Sequence, residues 1–140
     1  GCGAGRVLAF LASRGYGKRL IGVEIDPELA RFCEETLHQF KQVEVIESNA
    51  LDVFPPDATI FYLFNPFGRE LMLQYRDQLV ETYADQGNLT LVYFLAREVM
   101  LFEEDPHWLV TRYGLPGRPP EYVPGCPWLA VIRLLETSKN

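Results

Sequence analysis

Apolar and polar residues follow two alternating patterns along the 140-residue chain. Short apolar runs of strand length are separated by segments in which apolar residues recur every three or four positions, as on one face of a helix. Strands are predicted at 20–25, 43–47, 58–64, 89–95, 108–113 and 128–135, and helices after the opening glycines, after residue 26, at 70–85 and briefly at 98–102. This alternation predicts an α/β fold with a largely parallel sheet.

The last two predicted strands are joined by the connection 114–127, which holds five prolines and three glycines. This connection is too short, and too rich in helix-breaking residues, for the helical crossover that parallel strands need. Strands 108–113 and 128–135 are therefore predicted to run antiparallel to each other.

Two segments carry a strong burial signal. In the helix after residue 26, Asp26 is suited to cap the helix and Pro27 fits its first position. The apolar residues of this helix recur at spacings of four, four and three, which predicts that they face the core: Leu29, Cys33, Leu37 and Phe40. The run 58–64 is apolar almost throughout, which predicts a strand buried on both faces.

The chain opens with Gly1, Gly3 and Gly5, which lead directly into an apolar helical segment. Glycines at this spacing allow backbone N–H groups and a helix N-terminus to approach a bound ligand. A side chain at any of the three positions is expected to hold the ligand away or to prevent the turn. The dinucleotide-binding fingerprint has glycine at its sixth position, where this chain has Arg6.

Glu24 closes the strand that follows, 23 positions after Gly1. In doubly wound sheets an acid at about this spacing accepts hydrogen bonds from the hydroxyl groups of a ribose. The alternative interpretation is a surface carboxylate at a strand end, with no ligand.

Three segments together resemble the class I, Rossmann-like S-adenosylmethionine-dependent methyltransferases. They are the opening glycines, Gly22-Val23-Glu24 with Asp26-Pro27, and Asn65-Pro66-Phe67 after the run 58–64. The resemblance implies an α/β fold with a doubly wound, mostly parallel sheet and an antiparallel C-terminal hairpin. It also implies a single methyltransferase-like domain over 1–140 that lacks its first central strand before Gly1.

The resemblance further implies which residues bind S-adenosylmethionine. Those implied for its methionine part and ribose are Gly1, Cys2, Gly3, Gly5, Glu24 and Ile25. Asn49 and the backbone of Ala50 are implied to meet the adenine, with Asp52 as a second candidate. An Asx-type turn at Asn49, without a ligand, is the alternative.

On the acceptor side, the resemblance implies Asn65 as the catalytic residue and Pro66 and Phe67 as substrate-binding residues. The family has a second proline before its aromatic residue, so the match is partial, and a plain strand-to-helix turn is the alternative. Tyr122, in the connection 114–127, is implied to bind the substrate together with Arg112 and Arg118. Loop stiffening is the alternative explanation for the prolines around it.

Methyl transfer from a sulfonium is a direct displacement that depends on alignment and exclusion of water. Neither a catalytic triad nor a metal is therefore expected, and His38 and His107 are assigned to structure or surface. Two other functions stay open: a cofactor-binding or scaffold domain that does not catalyse, and a nicotinamide or nucleotide-sugar enzyme, against which Arg6 argues.

The composition of the chain limits which classes of acceptor and which cellular location are expected. The net charge of −6 favours a small-molecule or protein acceptor over nucleic acid, which requires a basic surface. No apolar run reaches the length of a membrane span. The three cysteines are far apart in the sequence and odd in number, which predicts a reduced, cytoplasmic protein. Residues 136–140 are expected to form a polar tail, and the acceptor and oligomeric state stay open.

Overall fold

The computed structural model describes residues 1–136, so the expected polar tail beyond Glu136 lies outside the described residues. The chain divides into two compact units, Gly1–Val53 and Phe54–Asn140. Each unit has its own strands and helices and is described by itself.

The first unit is a parallel pair of strands with two helices. Its elements are α1 (Arg6–Ser13), β1 (Leu20–Glu24), α2 (Pro27–Leu37), β2 (Val43–Glu47) and a 3-10 turn at Ala50–Asp52. Strands β1 and β2 pair from Leu20 opposite Val43 to Glu24 opposite Glu47. A compact core joins the helices to β1, and it consists of Leu8, Ala12, Leu20, Cys33 and Leu37. The carboxyl ends of both strands consequently meet at one edge.

Helix α2 begins as the sequence predicts but buries a different stripe. The Asp26 carboxylate accepts hydrogen bonds from the N–H groups of Glu28 and Leu29, at 2.9 and 3.0 Å. The prediction that Leu29 faces the core is wrong, because its side chain is 42% exposed while Ala30 is buried. The buried positions Ala30, Cys33 and Leu37 are three and four residues apart, and this rotates the core-facing stripe away from Leu29.

The second unit is a four-stranded sheet with two helices. Its elements are β3 (Ile60–Phe64), α3 (Arg69–Tyr83), β4 (Thr90–Phe94), α4 (Met100–Glu103), β5 (Trp108–Tyr113), a small hairpin of β6 (Glu121–Val123) and β7 (Cys126–Pro127), and β8 (Leu129–Leu134). The strand order is β3-β4-β8-β5. Strand β3 is parallel to β4, whereas β8 is antiparallel to both β4 and β5. The predicted antiparallel pairing of the last two long strands is confirmed.

The prediction that the run 58–64 is buried on both faces is wrong. Helix α3 covers one face of β3, where the Phe61 ring lies edge-on to Tyr83 at 5.7 Å. On the opposite face Ile60, Tyr62 and Phe64 are 57%, 43% and 57% exposed. Apolar density alone cannot distinguish a strand covered on one face from one covered on two.

Candidate functional site

The opening glycines form a turn held against the end of β1. The N–H of Cys2 donates to the carbonyl of Val23 at 2.7 Å, and the N–H of Gly5 donates to the carbonyl of Cys2 at 3.0 Å. Gly3 and Gly5 have φ angles of 54° and 74°, a region that glycine adopts without the cost it has for other residues. Gly5 directly precedes α1, so the turn delivers the chain to that helix N-terminus.

The Glu24 carboxylate, at the end of β1, is hydrogen-bonded to this turn. It is 6% exposed. Its Oε2 accepts a hydrogen bond from the N–H of Gly3 at 2.7 Å, and its Oε1 accepts from Ile25 and Asp26 at 2.9 and 3.1 Å. Burial acts to raise the pKa of Glu24, but the N–H donors of Asp26 and Gly3, the positive charge of the amino terminus and the N–H of Ile25 together outweigh it and hold that pKa below its usual value. Glu24 is therefore a charged group that organises the glycine turn.

The glycines are required by packing as well as by conformation. A Cβ at Gly1 would collide with the Glu24 carboxylate, and a Cβ at Gly5 would collide with Cys33 Sγ. At Gly3, apart from its two chain neighbours, no described residue has a heavy atom within 4 Å of a Cβ position, so that position faces open space. All three glycines are predicted to serve a ligand or a turn; at Gly1 and Gly5 the closest neighbours of an added Cβ are side chains of the protein itself.

Asn49 lies at the same edge of the first unit. The N–H of Ser48 donates to the carbonyl of Glu24 at 2.9 Å, which joins the end of β2 to the end of β1. Asn49 Oδ1 accepts from the N–H of Leu51 at 3.1 Å, so the Asx-type turn does form. The amide N–H₂ and one Oδ1 lone pair are left for other partners. Ile25 is 66% exposed at this edge.

The predicted cofactor residues therefore converge at the carboxyl edge of β1 and β2, which is where open α/β sheets bind ligands. The same unit also has a cavity of about 280 Å³ between α2 and β2, lined by Pro27, Ala30, Arg31, Glu34, Val45 and Glu47. None of those residues is a predicted cofactor residue. The edge, unlike this cavity, combines a buried charge with a glycine turn.

In the second unit, Asn65 follows β3 in the left-handed region, with a φ of 40°. Its N–H donates to the carbonyl of Phe94 at 3.2 Å. The hydroxyl of Tyr93, whose pKa burial raises to about 12, donates to Asn65 Oδ1 at 3.5 Å. Leu95 follows β4 with a φ of 49°. Sequence reasoning missed Leu95, because leucine gives no signal for this conformation.

The neighbours of Asn65 are only partly accessible. Pro66 and Phe67 are half-buried, and the Phe67 ring packs on Tyr75 of α3 with 5.3 Å between ring centroids. Phe67 therefore contributes to the aromatic packing beneath α3, whatever it contacts on its other side.

Arg112, near the end of β5, and the two predicted residues of the connection that follows all make contacts within the protein. Arg112 donates to Glu103 at 2.7 and 2.8 Å and to Glu121 at 3.2 Å, so its charge is neutralised within the protein. The guanidinium of Arg118 lies 5.7 Å from the centre of the Trp128 ring, and the Tyr122 ring lies edge-on to Trp128 at 5.1 Å. The N–H of Leu95 donates to the carbonyl of Trp128, which ties this cluster to the end of β4.

The two histidines lie elsewhere. His107 Nδ1 is 2.7 Å from Asp105 Oδ1 at the start of β5, the edge of the sheet opposite to Asn65. His38 Nδ1 is 2.7 Å from the carbonyl oxygen of Glu35. Within residues 1–136, no three His, Cys, Asp or Glu side chains are grouped to hold a metal ion. No helix of that part of the chain is long and apolar enough to cross a membrane.

Residues 1–63 match the family model described as "Methyltransferase domain". No match was found among curated proteins. Solved structures share the fold at low sequence identity. A SAM-dependent O-methyltransferase from Thermotoga maritima is 17% identical with a TM-score of 0.66, over 100% of this chain and 58% of that one.

Two further solved structures share the fold of this chain. A Streptococcus mutans protein in complex with SAH is 19% identical with a TM-score of 0.63, over 96% of this chain and 85% of that one. An rRNA methylase from Streptococcus thermophilus is 16% identical with a TM-score of 0.60, over 98% and 84%. These likenesses confirm the predicted α/β, Rossmann-like fold class.

Proposed function

We propose that the chain is a class I S-adenosylmethionine-dependent methyltransferase, and that it transfers the methyl group to an acceptor bound by the residues that follow β3. S-adenosylmethionine is its cofactor. The observation that carries the proposal is the hydrogen bond of 2.7 Å from the Gly3 N–H to Glu24 Oε2. It joins the glycine turn to the acid that ends β1, and so brings together the two features expected to hold the cofactor.

The residues present fit this cofactor. Each carboxylate oxygen can accept about two hydrogen bonds, so Oε2 of Glu24, which accepts from Gly3, retains a lone pair for a ribose hydroxyl. The open space at Gly3 allows close approach to the backbone. We assign Gly1, Cys2, Gly3 and Gly5 to the methionine part, Glu24 and Ile25 to the ribose, and Asn49 and Ala50 to the adenine.

The mechanism needs alignment more than acid–base chemistry. The bound cofactor supplies an activated methyl group on a sulfonium. The protein orients this group through the rigid glycine turn and orients the acceptor through Asn65, so that the displacement becomes effectively unimolecular. Proximity of this kind requires neither a nucleophilic side chain nor a metal.

We assign the acceptor to Asn65, Pro66, Phe67 and Tyr122. A small molecule or a protein is favoured over nucleic acid because of the net charge of −6. The shared fold does not select among acceptors, since the similar structures include both an O-methyltransferase and an rRNA methylase.

We also propose that residues 1–140 act as one methyltransferase-like domain. The family match over 1–63 supports this, because it begins in the first unit and extends through most of β3 in the second. A reduced, cytoplasmic location is proposed from the three free thiols, Cys2, Cys33 and Cys126.

The test is titration calorimetry with S-adenosylmethionine on the full chain and on Glu24→Ala. We expect affinity to fall by about tenfold or more, because a hydrogen-bonded charged group is lost from the pocket. Glu28→Ala is the matched control, since its exposed side chain lies in the first turn of α2, and it should bind like the parent.

An unchanged affinity in Glu24→Ala would refute the assignment of this residue. Stabilisation by NAD but not by S-adenosylmethionine in a thermal-shift comparison would refute the cofactor site itself. Cofactor binding without methyl transfer to any acceptor in a broad panel would instead identify a binding or scaffold domain.

A further inference from the structure

Two cysteines that are far apart in the sequence lie side by side beneath the glycine turn. Cys2 and Cys33 are 31 positions apart, and their Sγ atoms are 4.0 Å apart. Cys2 belongs to the turn and is half-buried, whereas Cys33 lies on α2 and is fully buried. Both thiols are free.

The surroundings leave the two sulfur atoms facing each other. A Cβ at Gly5 would collide with Cys33 Sγ, and Cys2 Sγ lies 2.8 Å from the Cβ position of Gly22. The backbone of Cys2 is anchored at both its N–H and its carbonyl, by Val23 and Gly5. A disulfide bond has a length of about 2.05 Å, so the sulfurs must approach each other by roughly 2 Å.

We propose that Cys2 and Cys33 are an oxidation site, at which a peroxide or a low-molecular-weight disulfide produces an intramolecular disulfide that weakens cofactor binding. This inference rests on the proposed cofactor role of the glycine turn.

The chemistry balances with either oxidant. With hydrogen peroxide, the Cys2 thiolate attacks one oxygen, the O–O bond breaks, and a sulfenic acid forms. The Cys33 sulfur then displaces the hydroxyl of that sulfenic acid, which leaves as water. In total the two thiols lose two protons and two electrons, and the peroxide becomes two molecules of water. A small disulfide oxidises the pair by two exchange steps and is released as two thiols.

The expected loss of affinity follows from the position of the bond. The disulfide would draw the sulfur of Cys2, the residue next to Gly3, and that of Cys33 on α2 together by roughly 2 Å, a movement that the turn and α2 have to accommodate. The N–H of Gly3 is the group that holds Glu24 Oε2 at 2.7 Å. Displacing the turn therefore disturbs the two groups assigned to the cofactor at the same time.

The environment of the thiols favours the disulfide once it has formed. Burial, the neighbouring Cys33 and Glu24 together raise the pKa of Cys2 to about 12, and burial raises the pKa of Cys33 as well. Thiols of high pKa are slow to be oxidised near neutral pH, because little thiolate is present. For the same reason their thiolates are poor leaving groups, so the disulfide resists reduction.

The experiment uses the full chain carrying Cys126→Ser, equilibrated in glutathione buffers of increasing oxidised fraction at mildly alkaline pH, with a hydrogen peroxide arm. Alkylation and peptide mass spectrometry measure the Cys2–Cys33 cross-link, and calorimetry measures S-adenosylmethionine affinity. We expect the cross-link to form, affinity to fall by about tenfold, and a reductant to restore it. Saturating S-adenosylmethionine should in turn oppose cross-linking by the same factor, because linkage is reciprocal.

Cys33→Ala is the matched control: it removes the pair, and its S-adenosylmethionine affinity should not respond to oxidant. If that variant fails to fold, Cys33→Ser serves the same purpose. Both thiols remaining reduced under both oxidants would overturn the proposal, and so would a cross-linked protein with unchanged affinity. A reduced protein that does not bind S-adenosylmethionine would instead refute the proposed function, a result that the cross-linking measurement leaves distinguishable.

Discussion

The ends of β1 and β3 both carry candidate site residues, but the two strand ends are built differently. After β1, the buried carboxylate of Glu24 accepts hydrogen bonds from three backbone N–H groups at 2.7–3.1 Å. One N–H belongs to the glycine turn, and the other two belong to the two residues that follow Glu24. After β3, Asn65 is in the left-handed region, and within residues 1–136 its side chain makes one hydrogen bond, which it accepts from the Tyr93 hydroxyl at 3.5 Å. The first end is preorganised by short bonds to a charge, whereas the second keeps a backbone conformation of higher energy.

This difference matches the proposed roles. A cofactor common to a whole family can be held by backbone groups, whose positions do not depend on side-chain identity. An acceptor that differs between family members requires side chains, and Asn65 and Tyr122 are the residues that we propose supply them.

The largest expected effect is on the packing beneath the first strand end. Gly5→Ala places a Cβ against Cys33 and 2.8 Å from Leu37 Cδ1, at a φ of 74°. Positive φ and overpacking together are expected to lower the free energy of unfolding by about 3 kcal/mol, measured by urea denaturation. Gly17→Ala is the control, because a Cβ there would lie 4.0 Å from its nearest neighbour, the carbonyl oxygen of Gly15. Equal stabilities of the two variants would show that the glycine turn is not tightly packed.

The second effect concerns pH and the charge of Glu24. Its pKa in the folded protein lies below the unfolded value, so its contribution to stability is complete above about pH 5 and is lost as the pH falls through the folded pKa. We expect the difference in unfolding free energy between the parent and Glu24→Gln to shrink on acidification below about pH 4.5. Denaturant titrations at a series of pH values measure it. A difference that stays constant down to pH 3 would show that the charge of Glu24 does not stabilise this strand end.

Much of the first unit could be predicted from sequence because its signals are local. The cap of α2 by Asp26 and the glycine turn before α1 are examples, because each depends only on neighbours within a few residues. The grouping of Gly3, Glu24 and Asn49 also followed from the rule that parallel strands present their carboxyl ends at one edge.

The features that sequence could not predict depend on contacts between distant segments. Nothing local indicates that Cys2 and Cys33 lie 4.0 Å apart, or that β8 lies between β4 and β5. Leu29 was misplaced because a helical stripe is read to within about one position, and a single position rotates a side chain by roughly 100°.

The next expected effect tests the strain at the second strand end. Asn65→Ala should lower the free energy of unfolding by about 1 kcal/mol, because alanine tolerates the left-handed region less well than asparagine. Asn65→Gly should keep or raise the stability, since glycine adopts a φ of 40° without strain. Urea denaturation of both variants measures the difference. If glycine proves as destabilising as alanine, the side chain of Asn65, and not its backbone, stabilises this end.

The smallest expected effect is on the long hydrogen bond between the Tyr93 hydroxyl and the side chain of Asn65. Tyr93→Phe removes a hydroxyl whose contacts with Asn65 Oδ1 and the Glu98 N–H are 3.5 and 3.4 Å long, and we expect a cost of about 0.5 kcal/mol. Tyr83→Phe is the matched control in the same unit, because its equally buried hydroxyl donates to the carbonyl of Pro55 at 2.7 Å, and it should cost about 1.5 kcal/mol. Denaturation midpoints of both variants against the parent measure these costs. Should the two substitutions cost the same, the Tyr93 hydroxyl holds Asn65 as firmly as the Tyr83 hydroxyl holds Pro55, and the side chain of Asn65 would not be loosely held.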